Sequence, residues 1–491
     1  MSVVANPRLF RDVGGRRMNI RDQEFTPEGT KVVFMDEYGT DGTDRLPVVV
    51  YSAEVVNGFV NPNTVKVVDD GGGAVRLVAD FPNTAEWSRC AGGEDWVYYS
   101  YIDEYRVPGA GPAYIRRRVE GTPEWEDPVM GNGNPQGDVV LDGNAPTDTH
   151  RFVALSSTSS VLEERLVVYV RMPVGGPPFF EGGDAGSTWC WFADDGSGAE
   201  VIERKLYDWD PTISILSSLV RLVPDFPGMI SMVRGADGHL RLQWLLLHRD
   251  SAAPQSYVAA ELHVYDDLGS LGDFALSVGV RRVPSLDDGL DRVWCVYAVF
   301  QGPQDSRRSW VDSFLVSVSG PIDTRLPTTS PDPARVRVLA SRRIEPWLDP
   351  SLDYVYISDD ENFDNPRYGP SVSVTVCGDW GQNSRAATDT AIFSFGVMPE
   401  LVIEPDELEE SFGRPPPVAT PPSFTPIILD VGWRVPAPLE PQRPSFEVAV
   451  APGQGEQFAD PETVTLGSRV YVFFTKVADE GDQFYRASVP L

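Results

Sequence analysis

An all-β protein built as a radial array of small antiparallel sheets is the fold this sequence predicts, and three observations predict it. The stretch Val75-Arg76-Leu77-Val78-Ala79-Asp80-Phe81-Pro82 returns as Val220-Arg221-Leu222-Val223-Pro224-Asp225-Phe226-Pro227. Self-similarity at long spacing marks stacked supersecondary units. Runs rich in Val, Tyr, Phe and Trp, bounded by Gly, Pro, Asp or Asn, recur from end to end, which is the pattern of strands joined by turns. Helical pattern is scarce: one short helix is expected, from Pro405 to Phe412, with acidic residues in its first turn and Gly413 just beyond.

The strands come in pairs. Lys31 to Phe34 is followed by Leu46 to Tyr51, Trp96 to Tyr99 by Ala113 to Arg118, and Arg165 to Val170 by Thr188 to Phe192. Leu240 to Leu247 then precedes Tyr257 to Tyr265, Arg292 to Phe300 precedes Trp310 to Val318, Tyr354 to Ile357 precedes Ser371 to Val376, and Arg469 to Phe474 precedes Gln483 to Val489. Seven evenly spread hairpins predict a single β-propeller of seven four-stranded blades, six and eight being the neighbouring counts. The blades are expected over residues 14–75, 76–145, 146–210, 211–280, 281–341, 342–400, and 445–491 together with 2–13. In the last of these the N-terminal strand closes the ring by pairing beside the final strand, which removes exposed sheet edges. Residues 401–444, containing the helix and the run Arg414-Pro415-Pro416-Pro417, are expected to cross the surface as an extended segment.

At 491 residues the chain exceeds one ordinary core, which a closed array of small units accommodates. Its 72 Asp and Glu against 41 Lys and Arg give a net charge of −31. Such a field repels phosphate backbones, so nucleic acid is not an expected partner. No apolar run reaches the roughly 20 residues of a membrane span, so no transmembrane segment is expected. Met1 to Arg8 lacks the charged, apolar and small-residue order of an export signal. The expected compartment is therefore cytoplasmic, or periplasmic or surface if a signal has been removed. Cys90, Cys190, Cys295 and Cys377 are widely spaced, form no metal-binding pair and read as buried thiols.

Glu24-Phe25-Thr26-Pro27-Glu28-Gly29-Thr30, followed by the apolar Lys31-Val32-Val33-Phe34, resembles the aromatic, Ser/Thr, Pro, Asp/Glu, Gly turn and strand of TolB-like (PD40, WD40-like) propeller repeats. Arg76 to Val78, Trp87-Ser88, Gly92-Gly93 and Trp96 to Ser100 are similar to the next unit in the same register. About a fifth of the chain carries the resemblance in this specific form. It implies a propeller serving as a protein-binding platform or as a gate on a hydrolase. No G-x-S-x-G elbow accompanies it, which argues against a gated serine peptidase.

The function expected from these features is a non-enzymatic binding scaffold, engaging a protein or carbohydrate partner through its funnel or rim. Arg16-Arg17, Arg281-Arg282 and Arg342-Arg343 each precede a strand run and read as ties between blades, or as an anion-binding rim. Arg17, Arg282, Arg343, Trp87 and Trp347 are the candidate binding residues, and Trp125, Trp380 and Trp433 read as exposed aromatics. The alternative is a lectin or a glycoside hydrolase, whose carboxylates would be Asp349, in Leu348-Asp349-Pro350, and Asp460, in Ala459-Asp460-Pro461, at the starts of inner strands. Asp184 to Trp189 resembles a sialidase Asp box and Arg282 to Leu286 its arginine strand, but in reversed order. No cofactor is expected. Ca2+ is the one cation that two acidic loops would suit, at Asp36, Asp41 and Asp44 or at Asp359, Glu361 and Asp364.

Overall fold

The computed structural model describes residues 2–5, 20–26, 29–37, 46–69, 77–79, 85–89, 95–103, 113–119, 139–140, 150–157, 164–173, 187–194, 202–208, 220–235, 237–250, 252, 255–265, 274–301, 309–323, 325–344, 356–358, 362–365, 369–379, 390–399, 441–442, 447–450, 457–466, 469–477 and 483–490. Among these the chain is all-β. Helix is confined to three single 3-10 turns, Pro62–Thr64, Pro284–Leu286 and Pro333–Arg335, each opened by the residue whose fixed φ suits a first helical position.

The described strands group into seven antiparallel four-stranded ladders. The first runs Ile20–Phe25, Lys31–Glu37, Leu46–Val56 and Lys66–Asp69; the second runs Ala85–Arg89, Asp95–Asp103, Ala113–Val119 and Val139–Val140. The short strand Leu77–Ala79 pairs with both and joins them into one sheet. The third comprises His150–Ser157, Glu164–Pro173, Ser187–Asp194 and Ile202–Asp208, and the fourth Val220–Leu222, Gly228–Arg234, Leu240–Leu247 and Tyr257–Tyr265. Phe274–Arg282, Arg292–Gln301, Ser309–Val318 and Val336–Ile344 make the fifth, and Tyr356–Ser358, Gly369–Asp379, Thr390–Gly396 and Glu447–Val450 the sixth. The seventh holds Gln457–Leu466, Arg469–Val477 and Gln483–Pro490, and its fourth strand is Ser2–Ala5, paired in register from Ser2 with Ser488 to Ala5 with Tyr485.

These spans differ from the expected boundaries in three places, one being that the fifth ladder's last strand, Val336–Ile344, runs past residue 341. The fifth ladder opens at Phe274, inside the segment assigned to the fourth blade. The sixth takes its last strand from Glu447–Val450, so residues 401–444 fall between its third and fourth strands. Within that segment Pro441–Gln442 pairs in parallel with Arg343–Ile344, adding a short fifth strand to the fifth ladder. The helix expected from Pro405 to Phe412 lies outside the described residues.

Apolar burial ties neighbouring ladders together. One cluster runs from Leu166 and Val168 of the third ladder through Leu242, Trp244 and Tyr265 of the fourth to Trp294, Phe300 and Phe314 of the fifth. Here the second copy of the repeated octapeptide shows its use. Phe226 meets Trp244 and Trp294 edge to face, with centroids 5.6 and 5.7 Å apart, and the Pro224 carbonyl accepts Trp294 Nε1 at 3.0 Å. Asp225 sits at φ 60 in the turn. A short polar side chain tolerates that left-handed position.

A second cluster packs the first ladder on the seventh: Ile20, Phe25, Phe34 and Tyr51 against Phe473 and Phe484. Phe25 stacks on Phe473 at 4.5 Å, and the buried Thr475 hydroxyl bonds Gln23 Oε1 at 3.3 Å. Cys295 is a buried thiol without a disulfide.

Candidate functional site

The first strands of the first to fifth ladders lie side by side, as do those of the sixth, seventh and first. Ile20–Phe25 neighbours Ala85–Arg89, which neighbours His150–Ser157, then Val220–Leu222, then Phe274–Arg282; Gln457–Leu466 neighbours both Tyr356–Ser358 and, back at the start, Ile20–Phe25. Asp460 lies on such a strand. It is not at the strand's start, as expected, but inside Gln457–Leu466, where the register with Arg469–Val477 shifts between Ala459 and Glu462. Asp460-Pro461 thus forms a bulge on an edge strand, a place where proline's missing donor is tolerated.

Two of the candidate arginines are described in full, and both face carboxylates of their own ladder. Arg343 Nε and Nη2 donate to the two oxygens of Asp312 at 2.7 and 2.8 Å, and its guanidinium lies 5.4 Å from the Trp310 ring centroid. This bidentate pair is buried, with Asp312 fully so. Arg282 donates to the Val293 carbonyl at 2.6 Å and to Asp287 at 2.5 Å, and lies 4.7 Å over Trp294. Asp287 also accepts the Val293 amide at 3.1 Å, so the carboxylate and the arginine together fasten the turn after Phe274–Arg282. The expected tie between neighbouring units falls to Arg342, whose Nη1 donates to the Met398 carbonyl at 3.3 Å, beside a hydrogen bond from Ser313 to the Val397 carbonyl.

The remaining candidates are placed unevenly. Trp87 lies in Ala85–Arg89 opposite Val97, and Asp364 in Asn362–Asn365 opposite Pro370. Asp36, expected in a solvated acidic loop, is instead fully buried within Lys31–Glu37, opposite Ile20 and Val49. Arg17, Trp125, Trp347, Asp349, Trp380, Trp433, Asp41, Asp44, Asp359 and Glu361 lie outside the described residues. Among the described residues no three His, Cys, Asp or Glu side chains group as a metal site, and no helix is long and apolar enough to cross a membrane. On the surface of the fourth ladder Arg241 pairs with Asp237 and with Glu261, and its hydrogen bond holds the Asp237 carboxyl well below the usual carboxylate range.

One constellation escaped the sequence reading. Asn57-Gly58 makes a two-residue hairpin turn with φ 54 and 69, the conformation that this dipeptide favours. Phe59 follows it. Arg486, from the seventh ladder, reaches over this turn and donates to the Asn57 and Gly58 carbonyls, with its guanidinium over the rings of Phe59 and Tyr471. The Asn-Gly pair between apolar runs was the available signal for the turn. Nothing local announces this seat, because the carbonyls that Arg486 reaches lie more than 400 positions away.

No family model matches the chain, and no curated protein matches it in sequence. Among solved structures, the WD40 domain of SCAP from fission yeast aligns with a TM-score of 0.35 and 8% identity, covering 99% of this chain and 87% of that one. A sialidase of Trypanosoma rangeli aligns with a TM-score of 0.35 and 6% identity over 99% of this chain and 59% of its own. The SapL1 lectin, solved with alpha methyl fucoside, aligns with a TM-score of 0.32 and 11% identity over 82% of this chain and 95% of that one. Likenesses at this level carry no functional argument.

Proposed function

We propose that this chain is a seven-bladed, TolB-like β-propeller acting as a binding scaffold for a protein or carbohydrate partner, engaged through its funnel or rim. Two features support the fold. Gln457–Leu466 of the seventh ladder neighbours Ile20–Phe25 of the first, which is the contact a closed ring would make between its ends. The Phe25 to Thr30 signature also behaves as a propeller turn would: Thr26 Oγ1 accepts the Thr30 and Lys31 amides at 3.2 Å, Gly29 takes φ 60, and Phe25 packs onto the neighbouring ladder. The observation that carries the scaffold role is the inward pairing of Arg282 with Asp287 and of Arg343 with Asp312, which commits these charges to the framework. Recognition is then left to other groups, Trp87 and Trp347 being the candidates.

A glycoside hydrolase is the second assignment, favoured by the bulge at Asp460-Pro461 on a first strand, since bulges re-aim side chains at sites. One experiment separates them. The purified protein is screened for binding on a glycan array and for turnover of a glycoside panel, together with Trp87→Ala, Trp347→Ala, Asp349→Asn and Asp460→Asn. The scaffold assignment expects binding that the tryptophan variants weaken, with no turnover. Glycoside turnover abolished by either aspartate variant would sink it.

A further inference from the structure

Arg486 belongs to Gln483–Pro490, yet its side chain is seated on the first ladder. Nη1 donates to the Gly58 carbonyl at 2.5 Å and to the Asn57 carbonyl at 3.3 Å. The guanidinium carbon lies 3.5 Å from the Phe59 ring centroid and 5.0 Å from that of Tyr471. Two aromatic faces and two carbonyl oxygens, all electron-rich, are the recognition chemistry of an organic cation, and a planar guanidinium fills them better than an ammonium. The seat is held open by the backbone. Gly58 sits at φ 69, and a Cβ there would lie 2.2 Å from Arg486 Nη1 and 2.9 Å from Tyr471 Cε1, so a side chain at this position would displace the guanidinium. Among the described residues no carboxylate pairs with Arg486, so its partners are the rings and carbonyls.

We propose that Phe59, Tyr471 and the carbonyls of Asn57 and Gly58 form a guanidinium-binding site which Arg486 fills in cis, and whose ligand in trans is an arginine side chain of a basic peptide. The seat meets solvent, with Asn57 exposed and Phe59 and Tyr471 half-buried. The net charge of −31 concentrates basic ligands around it. A tethered occupant has an effective concentration on the order of millimolar. One free arginine therefore does not displace Arg486, whereas a basic segment that makes further contacts does, and it parts the first ladder from the seventh as it enters. The peptide as physiological ligand rests on the scaffold role proposed above; the seat itself does not.

The test empties the seat and refills it. In Arg486→Ala, ethylguanidinium chloride at about 1–20 mM should raise the thermal midpoint saturably, by about 1–2 degrees, as a bound ligand does. Sodium chloride and ethylammonium chloride at equal concentration should not. Wild type should be unmoved, and Phe59→Leu combined with Arg486→Ala should lose the rise. A hexapeptide bearing one arginine should bind Arg486→Ala at least tenfold more tightly than wild type by fluorescence anisotropy. A folded Arg486→Ala that gains nothing from ethylguanidinium, or as much from ethylammonium, overturns the site and leaves the scaffold assignment standing. If Arg486→Ala does not fold, arginine side-chain NMR of wild type decides: the Arg486 resonances should be displaced by ring currents and return toward random-coil positions in Phe59→Leu. Undisplaced resonances overturn the proposal.

Discussion

Replacing Arg343 by Met removes the guanidinium from a carboxylate that has no solvent to fall back on. Side-chain exposure is 9% for Arg343 and 0% for Asp312, and both guanidinium contacts are within 2.8 Å. Breaking a buried pair from one side costs about 3–5 kcal/mol, because the surviving charge stays desolvated. Met keeps most of the apolar stem packed near Trp310, so lost volume adds little. Exchanging both partners, Asp312→Leu with Arg343→Met, should recover most of that loss, since a buried ion pair is often worth no more than a packed apolar one. The assay is urea unfolding followed by hydrogen exchange of the Ser309–Val318 amides, which isolates the fifth ladder in a chain too large for one two-state transition. A loss below about 1 kcal/mol for Arg343→Met, or a double variant no better than the single, would refute the inward commitment of this arginine.

Further expectations follow from other contacts. Gly279→Ala should destabilise by about 1–3 kcal/mol, because the new Cβ would lie 2.0 Å from Tyr297 Cζ; thermal melting that barely moves would mean the ring lies elsewhere. Trp294→Phe removes the indole donor to the Pro224 carbonyl and weakens the stacking of Arg282, and should cost about 1–3 kcal/mol, with exchange protection falling first at Val220–Leu222. Deleting Ser2–Ala5 bares the edge of Gln483–Pro490, and should lower protection in the first and seventh ladders together; loss confined to Gln483–Pro490 would count against a shared seam. Asp237 has a lowered pKa, so its pairing with Arg241 stabilises fully above the ordinary carboxylate value near ~3.9 and is lost as pH falls through the lower folded value. Asp237→Asn should therefore flatten the acid limb of stability between about pH 4 and 2, and more so at low salt, because the pair is exposed.

The hairpins were legible in the sequence almost strand for strand, since Val, Tyr and Phe alternate between turn residues and that pattern is local. Arg165 to Val170 and Thr188 to Phe192, for instance, fall inside the paired strands Glu164–Pro173 and Ser187–Asp194. Their phase within each sheet was not legible. Leu240–Leu247 and Tyr257–Tyr265 are the third and fourth strands of their ladder, whereas the hairpin ending in Gly369–Asp379 supplies the first and second. Short strands such as Val220–Leu222 and Tyr356–Ser358 offer too few residues for alternation to register. The arginine doublets were visible, but their partners were set by register: Asp312 is 31 positions from Arg343 and directly opposite it across two strands. Asp36 misled because an acidic run reads as solvated, while its first member lies in a strand whose face is covered by the neighbouring ladder.

The pairing of Ser2–Ala5 with Gln483–Pro490 has a consequence for biosynthesis. Ser2–Ala5 leaves the ribosome long before Gln483–Pro490, and can find that partner only once the ladders between them have been made. Intermediate ladders can assemble as they emerge, each from local hairpins, but the seventh must wait with an unsatisfied edge. The slowest and most aggregation-exposed step in assembling these ladders is thus the seventh, when two strands far apart in the sequence must meet.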